Sequence, residues 1–216
     1  MKMLELFAGT RVMADAFEKR DCEVFTIEID HAFPNISLYE NILNVESEDI
    51  LRLFGKPDFI WASPVCTSYS MAAISRHRKR EDNGSLTPIS DFAVYSDQLT
   101  KHMLKLIKEL DPKYYFIENP RAALRTMDFM QGLPRHTITY CQYGERVMKP
   151  TDIWTSHPNP KFKPPCKNGM PCHVRAPRGS TSGIQGMKSK VEKAKLPLKL
   201  CEHIATICLE DSTNAI

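Results

Sequence analysis

The sequence has no long apolar run, little net charge and no regular spacing of cysteines. None of its apolar runs approaches the roughly 20 residues of a membrane-spanning helix, and residues 1–7 lead directly into a strand-like segment without a signal-peptide pattern. The seven cysteines are odd in number and scattered, unlike a disulfide framework. These absences exclude a membrane-spanning protein and a disulfide-rich secreted domain. We therefore expect a soluble, cytoplasmic protein with no membrane partner.

The charge is small in total but unevenly distributed. The formal net charge of +3 does not by itself indicate a nucleic-acid partner. Residues 76–80, however, read Arg-His-Arg-Lys-Arg, and residues 161–199 are rich in lysine and arginine with few acids. Local patches of this kind can bind a phosphate backbone even in a nearly neutral chain. The alternative is that both are solvated surface segments.

The apolar pattern predicts one α/β domain. The 216 residues suffice for one sizeable domain with a small appendage. Strand-like segments alternate with segments of helical periodicity. The expected strands are 3–7, 24–29, 59–62, 114–117 and 136–141, and the expected helices are 12–19, 47–54, 89–110 and 122–130. This alternation predicts a mostly parallel sheet with helices on both faces.

The pattern changes after residue 155. Residues 156–186 contain six prolines and four glycines with little apolar periodicity. An amphipathic segment then resumes near residue 196. The sequence therefore predicts a core at 1–155, a small irregular insert at 156–195 and a closing helix at 196–216 that returns to the core.

Two reactive side chains stand where neighbouring strands are expected to end. Cys66 follows the apolar run 59–62, and Glu118 follows the run 114–117. Ligands of open α/β sheets bind at the carboxyl ends of the strands. A thiol and a carboxyl group at adjacent strand ends therefore make a candidate active site.

The motifs, taken in order, resemble those of the cytosine-5 methyltransferase family. LELFAGT at 4–10 is similar to the strand and loop that bind S-adenosylmethionine, and EID at 28–30 to the ribose-binding acid. SPVCTSYS at 63–70, ENP at 118–120 and QYGERVMKPT at 142–151 resemble the nucleophile loop, the acid motif and the base-contacting motif. The resemblance implies a Rossmann-like methyltransferase fold that depends on S-adenosylmethionine, with the insert as target-recognition segment.

The same resemblance implies methyl transfer to carbon-5 of a cytosine flipped out of duplex DNA. Carbon-5 is a poor nucleophile, so Cys66 is expected to add to carbon-6 and convert the ring to an enamine. Glu118 would act at ring nitrogen-3, and Arg146 would hold the exocyclic oxygen. No metal is needed for this chemistry. A divergent, phage-type member is implied, working in a bacterial or phage-infected cell, with restriction-modification as one setting.

The binding residues follow from the same motifs and from the basic patches. For the cofactor, Glu28 is expected to bind the ribose hydroxyls and Asn41 to read the adenine amine. The full set of expected cofactor-binding residues is Phe7, Gly9, Thr10, Glu28, Ile29, Asn41 and Pro64. The residues expected to contact nucleic acid are Ser70, Arg76, Arg78, Lys79, Gln142 and Arg178.

The chain also departs from the family pattern. Arg11 stands where a second glycine is usual and is expected to crowd the methionine end of the cofactor. In the short insert, Cys166, Cys172 and His173 could form part of a zinc knuckle, with a fourth ligand from elsewhere, such as His157 or Cys141. Two alternatives stay open: a transfer-RNA cytosine-5 methyltransferase, and a non-catalytic DNA-binding subunit that retains the fold.

Overall fold

The computed structural model describes residues 1–175 and 190–213. The first half of the chain alternates strands and helices. Its elements are β1 (Lys2–Leu6), α1 (Val12–Glu18), β2 (Glu23–Glu28), β3 (Leu38–Tyr39), α2 (Ser47–Leu53), β4 (Phe59–Ala62), α3 (Ile74–His77), β5 (Arg78–Arg80), β6 (Leu86–Pro88) and α4 (Asp91–Leu110). The second half contains β7 (Tyr114–Pro120), β8 (Arg135–Thr139), β9 (Pro150–Thr155), α5 (Lys190–Ala194) and α6 (Leu198–Thr213).

Seven of the strands form one mostly parallel sheet, as predicted. Their order is β3-β2-β1-β4-β7-β9-β8. The first five are mutually parallel, and β9 runs antiparallel to both β7 and β8. From β1, strands β2 and β3 are added on one side of the sheet, and β4 and the later strands on the other side. The switch point therefore lies between β1 and β4, and open α/β sheets bind ligands at such points. Since β9 is antiparallel, its first residues lie at the same edge as the last residues of β7.

Helices cover both faces of the sheet because the strands alternate their side chains between two cores. Leu4 and Leu6 of β1 belong to one core, in which α2 and α4 contribute residues such as Ile50 and Met103. Met3 belongs to the other core, which contains residues of α1 and α6. The predicted closing helix thus packs against α1 on one face of the sheet, beginning at Leu198 after a proline whose carbonyl accepts its first hydrogen bonds.

A buried acid fixes the start of α1. Glu5 lies in β1, and its Oε2 accepts a hydrogen bond of 2.9 Å from the amide of Ala14, in the first turn of the helix. The first amides of a helix lack partners within the helix, so this bond satisfies one of them. Burial raises the pKa of Glu5 to about 8, against the opposing effect of that hydrogen bond. The loop between β1 and α1 is therefore held at both of its ends.

One local prediction was wrong, and one structured region was not predicted. Residues 122–130 do not form one helix but two short 3-10 turns, Ala123–Thr126 and Asp128–Met130. The hydroxyl of Thr126 donates to the carbonyl of Ala123 and the next residue is extended, which ends the first turn. Residues 74–88, for which no helix or strand was predicted, contain α3 and the antiparallel hairpin β5–β6.

The insert has little regular structure in its described part. Between Thr155 and residue 175 the chain forms neither helix nor strand, and α5 precedes α6 near its end. None of the helices in the described residues combines the length and apolar character that crossing a membrane requires.

Candidate functional site

The ends of β4 and β7 bring Cys66 and Glu118 to one edge of the sheet. The two strands pair in parallel register, with Ala62 opposite Ile117. Just beyond them, the side-chain amide of Asn119 donates to the carbonyl of Pro64 over 2.9 Å. The turn that carries Cys66 is thereby tied to the residue that follows Glu118.

Glu118 is a buried carboxyl group on β7. Its Oε1 accepts a hydrogen bond of 2.8 Å from the hydroxyl of Tyr140, which follows β8. Burial raises the pKa of Glu118, because desolvation penalises the charged form, while the positive charge of Lys149 and the Tyr140 hydrogen bond oppose the shift. The site therefore favours a carboxyl group that can carry a proton.

Cys66 is solvent-exposed as a residue, but the protein around its thiol still limits solvation. This desolvation raises the pKa of Cys66, the charge of Glu118 raises it further, and the charge of Lys149 lowers it. A thiol in this setting is mostly protonated at neutral pH. Its reactivity depends on the balance between the two charged neighbours.

Lys149 is the functional candidate that the sequence analysis missed. It is buried, lies immediately before β9, and its ammonium group sits 4.4 Å from the centre of the Tyr140 ring. Among the described residues it is the cation whose charge lowers the pKa of both Cys66 and Glu118. A lysine directly before the antiparallel β9 was the available signal, because that strand starts at the catalytic edge.

Arg146, the predicted third catalytic residue, belongs to the same segment as Lys149. Its side chain is exposed, and its backbone carbonyl accepts a 2.7 Å hydrogen bond from the amide of Val174 in the insert. It precedes β9 by four residues, on the turn that faces the insert. The structure thus brings Lys149, rather than Arg146, into electrostatic contact with Cys66 and Glu118.

The pKa of Cys66 is expected to shift in opposite directions when its two charged neighbours are removed. Glu118→Gln removes a negative charge and lowers the pKa, whereas Lys149→Met removes a positive charge and raises it. The pH dependence of iodoacetamide alkylation at Cys66, followed by peptide mass spectrometry, measures both shifts. Arg146→Gln is the control and should leave the profile unchanged. Shifts of the same sign in the first two variants would contradict the assignment.

A cavity of about 340 Å³ lies at the ends of β1 and β2, where the cofactor was predicted. Most of the expected residues line it. These are Phe7, Gly9, Thr10, Glu28, Ile29 and Asn41. Pro64 is not among the lining residues, since its neighbours Ser63 and Val65 take that place and its carbonyl is bound by Asn119. Sequence reasoning missed Phe33 and Tyr95, which also line the cavity and lie outside the quoted motifs.

The polar residues of this cavity are held in fixed orientations. Glu28 accepts from the amides of Gly9, Ile29 and Asp30, at 2.9, 2.9 and 3.0 Å. A carboxylate has about four acceptor positions, so one remains for a ligand. Asn41 caps a 3-10 turn, and its amide donates to the hydroxyl of Tyr95 at 2.9 Å.

Arg11 does not crowd the cavity. Its backbone is left-handed, with φ of 56°, and its guanidinium group pairs with Glu18 at 2.6 Å and with Asp15 at 3.7 Å along α1. It is absent from the described residues that line the cavity. The expected steric conflict at this position is therefore not observed.

The basic run after Cys66 separates into exposed and buried members. Arg76 is exposed on α3, and Lys79 is exposed on β5, 3.4 Å from Glu81. Ser70 is half-buried, at the end of a 3-10 turn. Gln142 places its amide nitrogen 3.8 Å from the sulfur of Cys172. Arg178 lies outside the described residues.

Arg78 corrects the prediction that all three basic residues contact nucleic acid. Alternation along β5 turns its side chain inward, where its guanidinium group binds both carboxylate oxygens of Asp97 at 2.6 and 3.1 Å. The same group donates to the carbonyl of Ser68 at 3.0 Å and lies over the ring of Tyr69. Arg78 therefore fastens the hairpin and the turn after Cys66 to α4, and it is unavailable to phosphate.

A second cavity, of about 530 Å³, lies between this hairpin and the segment after β7. Met71, Ile74 and Leu86 provide its apolar wall, and Arg80 and Arg121 add positive charge. Both arginines are exposed. The cleft thus combines apolar surface with cations on the side of the molecule that carries the basic run.

The predicted metal ligands of the insert come together with one residue from the core. Side-chain ligand atoms of Cys141, Cys166, Cys172 and His173 all lie within 4.8 Å of one another. His157, the other candidate for fourth ligand, is buried against Tyr114, and its Nδ1 accepts from the amide of Asn159 at 3.1 Å. The four-residue group has the donor set of a zinc site.

This fold, a mostly parallel sheet with a ligand cavity at its switch point, is that of the Rossmann-like methyltransferases that depend on S-adenosylmethionine. Residues 1–131 match the family described as C-5 cytosine-specific DNA methylase. Because that match covers more than half of the chain, the protein belongs to this family of methyltransferases. No curated protein gives a match.

Solved structures agree with this fold. A DNA modification methyltransferase encoded within an E. coli prophage aligns with a TM-score of 0.52 and 17% identity, over 72% of this chain and 46% of its own. S. pombe Dnmt2 methyltransferase gives 0.50 and 13%, over 72% and 48%. The Entamoeba histolytica methyltransferase EhMeth gives 0.50 and 14%, over 82% and 57%. The present chain thus spans about half the length of the structures it matches.

Proposed function

We propose that this protein transfers a methyl group from S-adenosylmethionine to carbon-5 of cytosine in duplex DNA. The supporting observation is the grouping of Cys66, Glu118 and Lys149 at one edge of the sheet, where the charge of the lysine acts on both other residues. The cofactor cavity opens at the neighbouring ends of β1 and β2. This grouping supplies the nucleophile, acid and cation that the reaction requires.

The chemistry begins with addition of the Cys66 sulfur to carbon-6 of the ring. Electron density moves toward ring nitrogen-3, where Glu118 delivers a proton, and carbon-5 becomes an enamine carbon. Burial raises the pKa of Glu118 and so favours the protonated carboxyl group that this step needs. Protonated Glu118 also lacks the charge that would raise the pKa of the Cys66 thiol.

Lys149 assists by stabilising negative charge. Its ammonium group favours the thiolate form of Cys66 before addition, and it offsets charge on the ring afterwards. Held over the ring of Tyr140 in a buried position, it needs no rearrangement during the reaction. In this proposal Lys149 takes the role first given to Arg146.

The cavity at β1 and β2 would hold the methyl donor. Glu28, fixed by three backbone amides, retains an acceptor position for a ribose hydroxyl. When bound, S-adenosylmethionine supplies an electrophilic methyl group on its sulfonium. Once methylated, carbon-5 would lose its proton to a water molecule, the freed electron pair would re-form the double bond to carbon-6, and the Cys66 sulfur would leave as a thiolate while ring nitrogen-3 returns its proton to Glu118.

Nucleic acid would approach across the basic side of the molecule. A stacked cytosine is inaccessible to a protein side chain, so the base must leave the duplex to reach Cys66. We assign phosphate contacts to Arg76 and Lys79, with Arg80 and Arg121 in the adjoining cleft. Residues 1–155 and the closing helix at 196–216 would form the catalytic core, and residues 156–195 would recognise the target.

Methyl transfer from tritiated cofactor onto mixed-sequence duplex DNA and onto transfer RNA tests the function. We expect labelled 5-methylcytosine in DNA, no product with Cys66→Ser, and a roughly 10²–10³-fold loss of kcat with Lys149→Met, because one preorganised stabilising group is lost. Arg146→Gln should retain most of the activity.

Two outcomes would favour another function. Label in transfer RNA alone would identify transfer RNA as the substrate. A protein that fails to bind S-adenosylmethionine in calorimetry would instead be a non-catalytic subunit.

The salt dependence of DNA binding tests the phosphate contacts. Neutralising Arg76 and Lys79 together should weaken binding and reduce the slope of log K against log salt by about 1 per residue. Arg78→Leu should behave differently: it leaves Asp97 buried without its partner and should lower the free energy of unfolding by about 3–5 kcal/mol. An unchanged slope in the double variant would remove these residues from the interface.

A further inference from the structure

We propose that Cys141, Cys166, Cys172 and His173 bind one Zn²⁺ ion that fastens the insert to the catalytic core. The sulfur of Cys166 lies 3.1 Å from that of Cys172, and both sulfurs lie 3.6 Å from Nδ1 of His173. All four ligand atoms, including that of Cys141, fall within 4.8 Å. A tetrahedral ion with Zn–S bonds of about 2.3 Å holds its ligand atoms roughly 3.5–3.8 Å apart. The two sulfurs of Cys166 and Cys172 lie closer than this and the outer limit of 4.8 Å is longer, so side-chain shifts of about 1 Å or less would complete that geometry.

The ligands come from two parts of the chain that hydrogen bonds already hold together. Cys141 lies in the turn after β8, whereas the other three lie within eight residues of the insert. The amide of Cys166 donates to the hydroxyl of Thr139 at 2.8 Å, beside Cys141. The amide of Lys163 donates to the hydroxyl of Tyr143 at 3.0 Å. These hydrogen bonds bring the thiols of the two segments close to one another.

Apolar packing gives this part of the insert little support, since among residues 161–175 only Phe162 packs against the core of α1 and α6. No side chain from residue 161 to residue 175 is buried. Only Phe162, Cys166 and His173 are even half-buried, and two of these three are proposed ligands. Ordering a backbone costs roughly 1–2 kcal/mol per residue, and small segments without a core rely on a metal or disulfides for compensation. A bound ion would provide it here.

The donor set indicates a structural ion. Three sulfurs and one imidazole nitrogen fill the four positions of a closed zinc site and leave none for water or substrate. Soft thiolate ligands also select zinc over magnesium or calcium. The ion would hold the turn after β8, which contains Cys141, against the residues near His173. This contact lies next to the backbone hydrogen bond from Val174 to Arg146. This role is independent of the proposed methyl transfer.

Metal content and cobalt substitution test the proposal on the full chain. Protein purified without chelator should contain one zinc per chain, and apoprotein reduced and then titrated with Co²⁺ should develop the intense visible bands of a tetrahedral thiolate site. Cys172→Ser, at an exposed position, should lose stoichiometric metal, whereas Cys172→His should retain it. Cys66→Ser, an exposed thiol outside the group, is the matched control and should bind metal as the wild type does. Zinc removal should also speed tryptic cleavage after Lys167, between two of the ligands.

The outcomes distinguish a zinc site from a disulfide between neighbouring thiols. Apoprotein that binds zinc more weakly than about 1 µM would overturn the proposal, because structural sites bind far more tightly. A disulfide between Cys166 and Cys172, with no metal uptake after its reduction, would overturn it too. Zinc binding by Cys172→Ser that equals that of the wild type would also overturn the proposal.

Discussion

A buried hydrogen bond beyond the paired part of β4 and β7 ties together the two strand ends on which the candidate site depends. Asn119 is almost fully buried, and its amide donates to the carbonyl of Pro64 at 2.9 Å. That carbonyl lies in the turn beyond β4, where the sheet no longer provides a partner, and leaving it unpaired in the interior would cost about 1–3 kcal/mol. Together with the pairing of β4 and β7, this bond holds the turn that carries Cys66 beside the residue that follows Glu118.

The second determinant is the balance of charges around Glu118. Burial favours its protonated form, and Tyr140 and Lys149 favour its ionised form. The three residues come from β7, from the turn after β8 and from the start of β9, so the sheet itself holds them in place. The same lysine lowers the pKa of Cys66, which Glu118 raises. One proton on Glu118 therefore changes the reactivity of the thiol as well as the acid.

Much of this arrangement follows from the sequence because strand periodicity and the strand-end rule both concern local patterns. The parallel sheet, the positions of Cys66 and Glu118, and the loop at Gly9 were all predictable in this way. The direction of each side chain within a charged run was not predictable from the sequence. Arg78 looks like its exposed neighbours until the pairing of β5 with β6 turns it inward toward Asp97. A strand of three residues is too short to show a periodic pattern in the sequence.

The remaining surprises depend on contacts between distant segments. Lys149 acts at the site because an antiparallel strand brings its first residues beside the last residues of β7. Cys141 joins Cys166 because the insert folds back on the turn after β8. Neither contact can be read from spacing along the chain. In both cases the residue type was visible in the sequence, but its partners were not.

The central claim is that Cys66 forms a covalent bond to cytosine with support from Glu118 and Lys149. Duplex DNA containing 5-fluorocytosine tests it directly, because the fluorine blocks the elimination that would release the enzyme. With S-adenosylmethionine present, we expect a denaturation-resistant complex whose cross-linked peptide contains Cys66. The complex should form much more slowly in Lys149→Met than in Arg146→Gln. If no complex forms, or if the cross-link is at another cysteine, Cys66 is not the nucleophile.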